Sequence, residues 1–216
     1  MIPRRAPVEV LLGRSAEAER GIENDFALLE AARAGVRVWT CDGNTVVLGA
    51  SRDPAVEVDE DECRRRRVAV LRRASGGGTV VIGRGTVQYA FVVPHPAGTE
   101  PPSLDAVKSA CNAAVVSALA SGGVHAPLAT DASGDLRVED RKVGGLALRR
   151  HRHATLLHGT LLVDADLEQI AALLKHPVLE PKWRQGRSHL AFLANLGRLD
   201  VAAFTNALKP IQAVQS

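Results

Sequence analysis

The chain has 216 residues and a formal net charge of +3, with 46% apolar and 24% charged residues. That is enough chain for a substantial core and an ordinary globular composition, with a basic excess too mild to mark a nucleic-acid binder. Aromatic residues make up only 3%, so stacking platforms for single-stranded nucleic acid are missing, and no apolar run approaches the roughly 18 residues of a membrane span.

Val8 to Leu12 is a short apolar run and a first strand. Ala16 to Ala34 reads as a helix, because Ile22, Phe26 and Leu29 recur at helical spacing and Gly35 stands where a C-terminal cap glycine would. Val36 to Trp39 and Thr45 to Gly49 flank the turn-forming cluster Cys41-Asp42-Gly43-Asn44 and are expected to pair as a hairpin. Asp59 to Arg67 places acids first and bases last, the order that complements a helix dipole, and is expected as a short exposed helix. Val68 to Leu71, Thr79 to Ile82 and Val87 to Val93 are strands, the last two separated by Gly83-Arg84-Gly85. After a proline-bearing loop, Ser103 caps a helix whose face is Leu104, Val107, Cys111, Val115 and Leu119, and Gly122-Gly123 stops it. Strand patterns return from Leu136 to Val163, with turns at Asp140-Arg141 and at His151 to His153. Short helices are expected at Asp166 to Leu174 and Asp200 to Leu208, with an irregular polar stretch at Trp183 to His189 between them. Strands outnumber helices and tight turns join several of them. The expected class is therefore α/β (α+β), with a mixed, mainly antiparallel sheet and flanking helices, in one domain over residues 1–216.

Three segments carry chemistry. Arg72-Arg73-Ala74-Ser75-Gly76-Gly77-Gly78-Thr79-Val80 ends an apolar run in paired guanidinium groups and a glycine loop. Guanidinium forks suit phosphates and carboxylates, and glycine lets backbone come close to a ligand. A tight turn with two surface arginines would show the same pattern. Asp140 to Ala147 sets Lys142 just after a turn, ahead of Gly144-Gly145, where it can reach an anion as a point charge. Leu157-His158-Gly159-Thr160 places a histidine in an apolar strand, lining a pocket or hydrogen-bonded in the core. Cys41, Cys63 and Cys111 are scattered, with no CxxC and no metal-ligand spacing, so neither a disulfide framework nor a protein metal site is expected.

Taken together, these segments resemble the lipoate–protein ligase A type of the biotin/lipoate ligase superfamily. RRASGGGTV matches the RRxSGGGxV signature. DRKVGGLALRR resembles the KxxGxAxR motif at Lys142, Gly145, Ala147 and Arg149, and LLHGTLLVD resembles the HGTLL strand. The order and spacing agree over roughly residues 8 to 197. The resemblance implies the catalytic-domain fold of that superfamily and a two-step reaction. Lipoate or octanoate attacks the α-phosphate of ATP, with Mg²⁺ on the phosphates, and a lysine of an acceptor protein then takes the acyl group. The acceptor would be a lipoyl domain, a glycine-cleavage H-type protein or a related lipoate-binding protein. Lys142 would be the catalytic cation. Arg72, Arg73, Ser75, Gly76, Gly77, Gly78, Thr79, Val80, Val81, Gly145, Ala147 and His158 would bind ATP or the acyl-adenylate. Val80, Leu146 and Leu157 are candidates for a greasy tunnel. The chain departs from the family at Ile82 and Gly83, at Gly85-Thr86-Val87-Gln88, and at Gly144, Leu146 and Leu148.

Rival readings are an octanoyl- or lipoyl-transferase of the same superfamily and a non-catalytic acyl-nucleotide-binding module. All three cysteines precede Lys142, and Cys111 sits on an apolar helix face, which disfavours a thioester route. Biotin ligation is disfavoured by the missing GRGRxGRxW segment. The chain resembles a short form without the C-terminal accessory domain, which implies either a separate small accessory protein or self-sufficiency. With no leader pattern at Met1 to Pro7, a cytoplasmic location is expected, and neither nucleic acid nor membrane is expected as a partner.

Overall fold

A computed structural model describes residues 8–95, 97–98 and 100–212. The chain begins β1 (Val8–Leu12), α1 (Ala16–Ala31), β2 (Gly35–Trp39), β3 (Thr45–Leu48), α2 (Pro54–Glu57), α3 (Glu60–Arg66), β4 (Ala69–Arg73), β5 (Val80–Ile82) and β6 (Thr86–Pro94). It continues α4 (Leu104–Ser121), β7 (Leu128–Thr130), β8 (Leu136–Val138), β9 (Arg141–Arg150), β10 (Ala154–Leu162), α5 (Leu167–Leu173), a 3-10 turn (Lys182–Arg184), α6 (His189–Phe192) and α7 (Val201–Ala207). Among the described residues the strands form two sheets. One is four-stranded in the order β1-β4-β3-β5, the other six-stranded in the order β2-β6-β10-β9-β8-β7. Every pairing is antiparallel except β3 with β4. The mixed, mainly antiparallel class is as expected.

The hairpin expected between residues 36 and 49 does not form. β2 pairs with β6 in the larger sheet, whereas β3 pairs with β4 and β5 in the smaller one. The Cys41 to Asn44 cluster therefore carries the chain from one sheet to the other. α1 also ends earlier than its pattern suggests. Ala32, not Gly35, takes the left-handed cap conformation at φ 50°, and Gly35 opens β2. The 103–122 helix matches its signals, with the Ser103 hydroxyl accepting from the Ala106 N–H at 3.1 Å.

Strand alternation divides the interior into three packed regions. Val87, Tyr89, Phe91 and Val93 of β6, with Leu157 and Leu161 of β10, pack on α4 and α7. The intervening Ala90 and Val92 point the other way, onto Ile22, Phe26 and Leu29 of α1 and Leu71 of β4. Val46, Leu48 and Val70 line the far face of the smaller sheet, against α3, α5 and Phe192. Leu157 thus belongs to the α4 core and not to a substrate tunnel.

Gly159 is required by this packing. A Cβ there would run into the ring and hydroxyl of Tyr89, which is fully buried, and into the Gly145 carbonyl at 2.7 Å. Gly159→Ala is expected to cost about 1–3 kcal/mol, the usual range for overpacking, read as a fall in the midpoint of urea denaturation.

Candidate active site

One cavity of about 380 Å³ lies between the two sheets, where their inner faces diverge. Its floor is the face of the larger sheet opposite α4. Trp39, Gln88, Thr160 and Gly145 are cross-strand partners in one row across β2, β6, β10 and β9, and His158 and Ala147 pair in the next inward-facing row. Residues of the 77–81 loop form one wall, and the segment from Lys175 to Leu193 contributes to another.

The glycine loop is built around Arg73. Its guanidinium donates to the Ser75 hydroxyl at 2.9 Å and to the carbonyls of Val47 at 3.1 Å, Gly76 at 2.7 Å and Gly78 at 2.9 Å. Burial, together with the like charge of Arg52, pushes its pKa down to about 10, and Glu57 partly offsets that fall. The group stays charged at neutral pH. The fork expected to grip a ligand phosphate therefore grips the loop. Arg72 turns outward. It pairs with Glu9 at 3.0 Å, donates to the Arg52 carbonyl and does not line the cavity. Gly76 is exposed, is tied by its N–H to the Leu148 carbonyl at 3.2 Å and does not line the cavity, and Ser75 is fully buried behind it. Arg73, Gly77, Gly78, Thr79, Val80, Val81, Lys142, Gly145, Ala147 and His158 all line the cavity.

The three glycines differ in what they need. Gly77 has φ +91°, and a Cβ on it would press on the Arg73 Nη2 at 3.0 Å and Ala147 Cβ at 3.2 Å. A Cβ at Gly78 would meet nothing within 4 Å. The fold does not require glycine at 78, so its bare backbone remains as a surface for close approach by a ligand.

Lys142 is the second residue of β9, and its Nζ lies 2.6 Å from Asp135 Oδ1. The pair sits over Gly145, where a Cβ would stand 2.8 Å from Nζ and 3.0 Å from Oδ1. The second glycine of the lysine motif is thus the space the ammonium occupies. Asp135 is delivered by a turn in which Asp131 Oδ1 accepts from the N–H groups of Ser133, Gly134 and Asp135.

A second polar chain crosses the floor. The Ser75 hydroxyl lies 2.6 Å from His158 Nε2, and His158 Nδ1 lies 3.6 Å from Asp25 Oδ2. Asp25 also accepts from Arg37 and from the Trp39 indole N–H at 3.2 Å. The arrangement has the residue types of an acyl-transfer triad, but Ser75 is sealed from the cavity, so the chain orients His158 and the loop. At the other end of the loop, Arg52 donates to the Gly77 carbonyl at 3.0 Å and pairs with Glu57 at 3.2 Å, and Glu57 accepts from the Thr79 hydroxyl.

Sequence reasoning did not single out Asp25, Arg52, Glu57, Asp135 or Arg184 as site residues. Asp25 did leave a signal, being an acid on the stripe Ala18, Ile22, Phe26 and Leu29. The departures at 82–88 have a local account. The Thr86 hydroxyl accepts from the Gly83 N–H at 2.9 Å and donates to the Gly83 carbonyl at 2.8 Å, closing the turn.

The chain is similar to known proteins over most of its length. The family described as "Lipoyl protein ligase A/B catalytic domain" matches residues 23–210. The chain belongs to that family. It is 32% identical over 153 residues to a lipoate-protein ligase A of Psychrobacter cryohalolentis, a stretch covering 70% of this chain and 42% of the relative, so it spans well under half of that relative's length. A bi-partite lipoate protein ligase from Thermoplasma acidophilum, described with its E2 lipoyl domain, superposes with TM-score 0.73 at 24% identity, covering 92% of this chain and 78% of that one. A lipoate-protein ligase A bound with ATP superposes with TM-score 0.63 at 24% identity, covering 85% and 74%. These structures establish the fold, and among the described residues no helix is long and apolar enough to cross a membrane.

Two substitutions separate packing from ligand contact. Gly77→Ala is expected to destabilise the protein by about 1–2 kcal/mol, the cost of a left-handed backbone with a Cβ. Gly78→Ala should leave the denaturation midpoint within about 0.5 kcal/mol of wild type, so any loss of ligand binding in that variant reports the loop's contact alone.

Proposed function

We propose that this chain is a ligase that activates lipoate or octanoate with ATP and passes the acyl group to a lysine of an acceptor protein. The observation that carries this reading is the Lys142 ammonium, held over Gly145 beside the glycine loop in a cavity sized for a small ligand. The first step joins two anions, a carboxylate and a phosphate, which repel each other until a cation lies between them. Lys142 carries three donors. Asp135 takes one, which aims the other two at a carboxylate oxygen and an α-phosphate oxygen. A carboxylate oxygen attacks the α-phosphorus, the bond to the β-phosphate oxygen breaks with its electron pair on the leaving pyrophosphate, and an acyl-adenylate remains. A neutral lysine amine of the acceptor then attacks the acyl carbon. AMP departs with the electrons of the broken C–O bond, and the amine proton is lost to solvent.

The donor set fits a Mg²⁺ ion that arrives on the triphosphate. Asp135 and Glu57 offer carboxylate oxygens, each already paired to a cation, and no group of three metal-ligating side chains exists among the described residues. Mg²⁺ is commonly held by one or two carboxylates plus substrate phosphates, and there it would neutralise phosphate charge.

The acceptor class is inferred from the archaeal relative, which is described with an E2 lipoyl domain. That relative is also described as bi-partite, and comparing adenylation with and without a candidate second protein tests whether this chain acts alone. We read residues 1–216 as one catalytic domain that works in the cytoplasm.

A thioester transferase is the weaker reading. All three cysteines are buried and none lines the cavity. Burial and neighbouring carboxylates push the Cys41 and Cys63 thiols up to about 11, and burial alone pushes Cys111 higher still. Raised thiol pKa values keep the nucleophilic thiolate scarce below pH 10. Iodoacetamide at pH 7.5 should therefore leave activity intact, and the alkylation rate should climb only as pH approaches 11. Rapid inactivation at pH 7.5 would restore the transferase.

The direct test is mass spectrometry of a lipoyl domain incubated with the protein, ATP and either acid. A mass increase of one acyl group is expected with wild type. Lys142→Ala should lower pyrophosphate release by about 10² or more, the scale for removing a transition-state donor. Undiminished turnover in that variant would remove Lys142 from the mechanism.

A further inference from the structure

Seven large apolar side chains are exposed among the described residues, and four of them, Val56, Val178, Leu179 and Leu190, line the cavity or directly adjoin in sequence a residue that does. Apolar residues scattered singly over a surface need no explanation, but a group around one opening does. Val178 and Leu179 are the most exposed, at 70% and 69%. Neither belongs to a packed region of the interior. Leu179 is both a wall of the cavity and an exposed residue, so the cavity reaches the surface at this pair.

The pair is held out by a fastened segment. At its start, the Lys175 N–H donates to the Glu57 carbonyl at 3.0 Å and the Lys175 ammonium to the Ala55 carbonyl at 2.9 Å, which ties the chain to α2. At its end, the Gly186 N–H donates to Glu180 Oε1 and the Arg184 N–H to the Pro181 carbonyl, both at 2.8 Å. Pro177 and Pro181 fix φ on either side. Val178 and Leu179 therefore have little backbone freedom left to lose on binding, the preorganisation that favours association. The charge around them is positive. Lys175 and Lys182 are exposed, and among the described residues neither pairs with a carboxylate. Glu180, the one acid between them, is already engaged, with its Oε2 3.2 Å from His176 Nε2 and 3.4 Å from Arg184 Nε.

We infer that Val178 and Leu179 are the docking surface for the acceptor protein, and that they take an apolar side chain of that protein, flanked by carboxylates and close to the lysine to be modified. This assignment rests on the ligase reading above. The acceptor lysine must bring its amine to the acyl carbon beside Lys142. Its stem is only four carbons long, so the backbone that carries it halts at the cavity mouth, and the residues around it come to rest on the rim. Leu179 and Val178 form that rim where the cavity opens. The apolar contact holds the partner, while Lys175 and Lys182 draw in its carboxylates and repel a basic surface. The surface serves the second half-reaction only, because the acyl-adenylate forms without the acceptor.

Val178 is exposed and does not line the cavity, so Val178→Asp is expected to fold and to leave the small ligands untouched. Transfer from preformed acyl-AMP to an unmodified lipoyl domain is measured for wild type, Val178→Asp and Lys182→Glu, alongside pyrophosphate release from acid and ATP without the lipoyl domain. Val178→Asp is expected to raise the KM for the lipoyl domain about 10-fold or more, the loss of one anchoring contact, with kcat within about 3-fold. Lys182→Glu should raise that KM about 3-fold at low salt, the scale of an exposed charge, and by less at about 0.5 M NaCl, where such charges are screened. Pyrophosphate release should stay within about 2-fold of wild type in both variants, as for surface changes away from the ligands. A KM unchanged by Val178→Asp, or pyrophosphate release that falls in step with transfer, would overturn the docking surface. So would a wild-type dimer that Val178→Asp separates without changing KM, because a second copy would then cover the pair. A wild-type protein that transfers no acyl group from acyl-AMP would instead overturn the ligase reading itself.

Discussion

Arg73 holds a positive charge out of water, and the shape of the cavity follows from how that charge is satisfied. Three backbone carbonyls and the Ser75 hydroxyl surround the guanidinium. A buried cation is tolerated only with such partners, so the Gly76 and Gly78 carbonyls are drawn inward and the loop is pinned from behind. Its opposite surface, bare at Gly78, is left to the cavity. A lysine could not substitute, because a single ammonium lacks the planar spread of donors that spans Val47, Ser75, Gly76 and Gly78. The serine of the motif has a matching task. It links Arg73 to His158, and through it to Asp25 on α1, so loop, floor and helix are set by one continuous polar chain.

The two sheets give that chain somewhere to act. The segment after Trp39 leaves the larger sheet and returns in the smaller one, which places the ends of β3 and β4 against the open face of β6, β10 and β9. Alternation then does the sorting. Odd-numbered residues of β6 fill the α4 core, and Gln88 faces the cavity. His158 and Thr160 of β10 do the same between Leu157 and Leu161. A one-residue slip of β10 would bury the histidine under α4 and turn a leucine into the cavity.

Much of this was legible in the residues. The strands of 69–94 and 136–162, the capped helix at 104–121, the glycine loop and Lys142 all carry short-range signals, in periodicity, caps and turn residues. The hairpin at 36–49 was misread because its turn chemistry is real but local. Which sheet each strand joins is decided by burial of Val47 against α1 and of Val46 and Leu48 against α5, and no turn residue encodes that. What Arg73 holds in the loop was hidden for a related reason. A sequence shows that an arginine adjoins glycines, but not whether its donors face a ligand or the loop's own carbonyls. Asp135, Glu57 and Arg52 were invisible because their meaning comes from partners distant in sequence, and β7 is too short to leave a pattern.

Three of the cations around the cavity are answered by carboxylates. Lys142 has Asp135, Arg52 has Glu57 and Arg37 has Asp25, each within ion-pair distance. Such pairing is what a cavity built for anions requires before an anion arrives, because unmatched charges of one sign in a partly desolvated space would force it apart. It also sets how ligands bind. An incoming carboxylate or phosphate does not meet a naked cation. It joins a pair, and the gain is the difference between the new contacts and the share lost from the resident carboxylate. Lys142 suits this because its ammonium can serve several acceptors at once, and at 28% side-chain exposure it is the more accessible partner, with Asp135 at 9%.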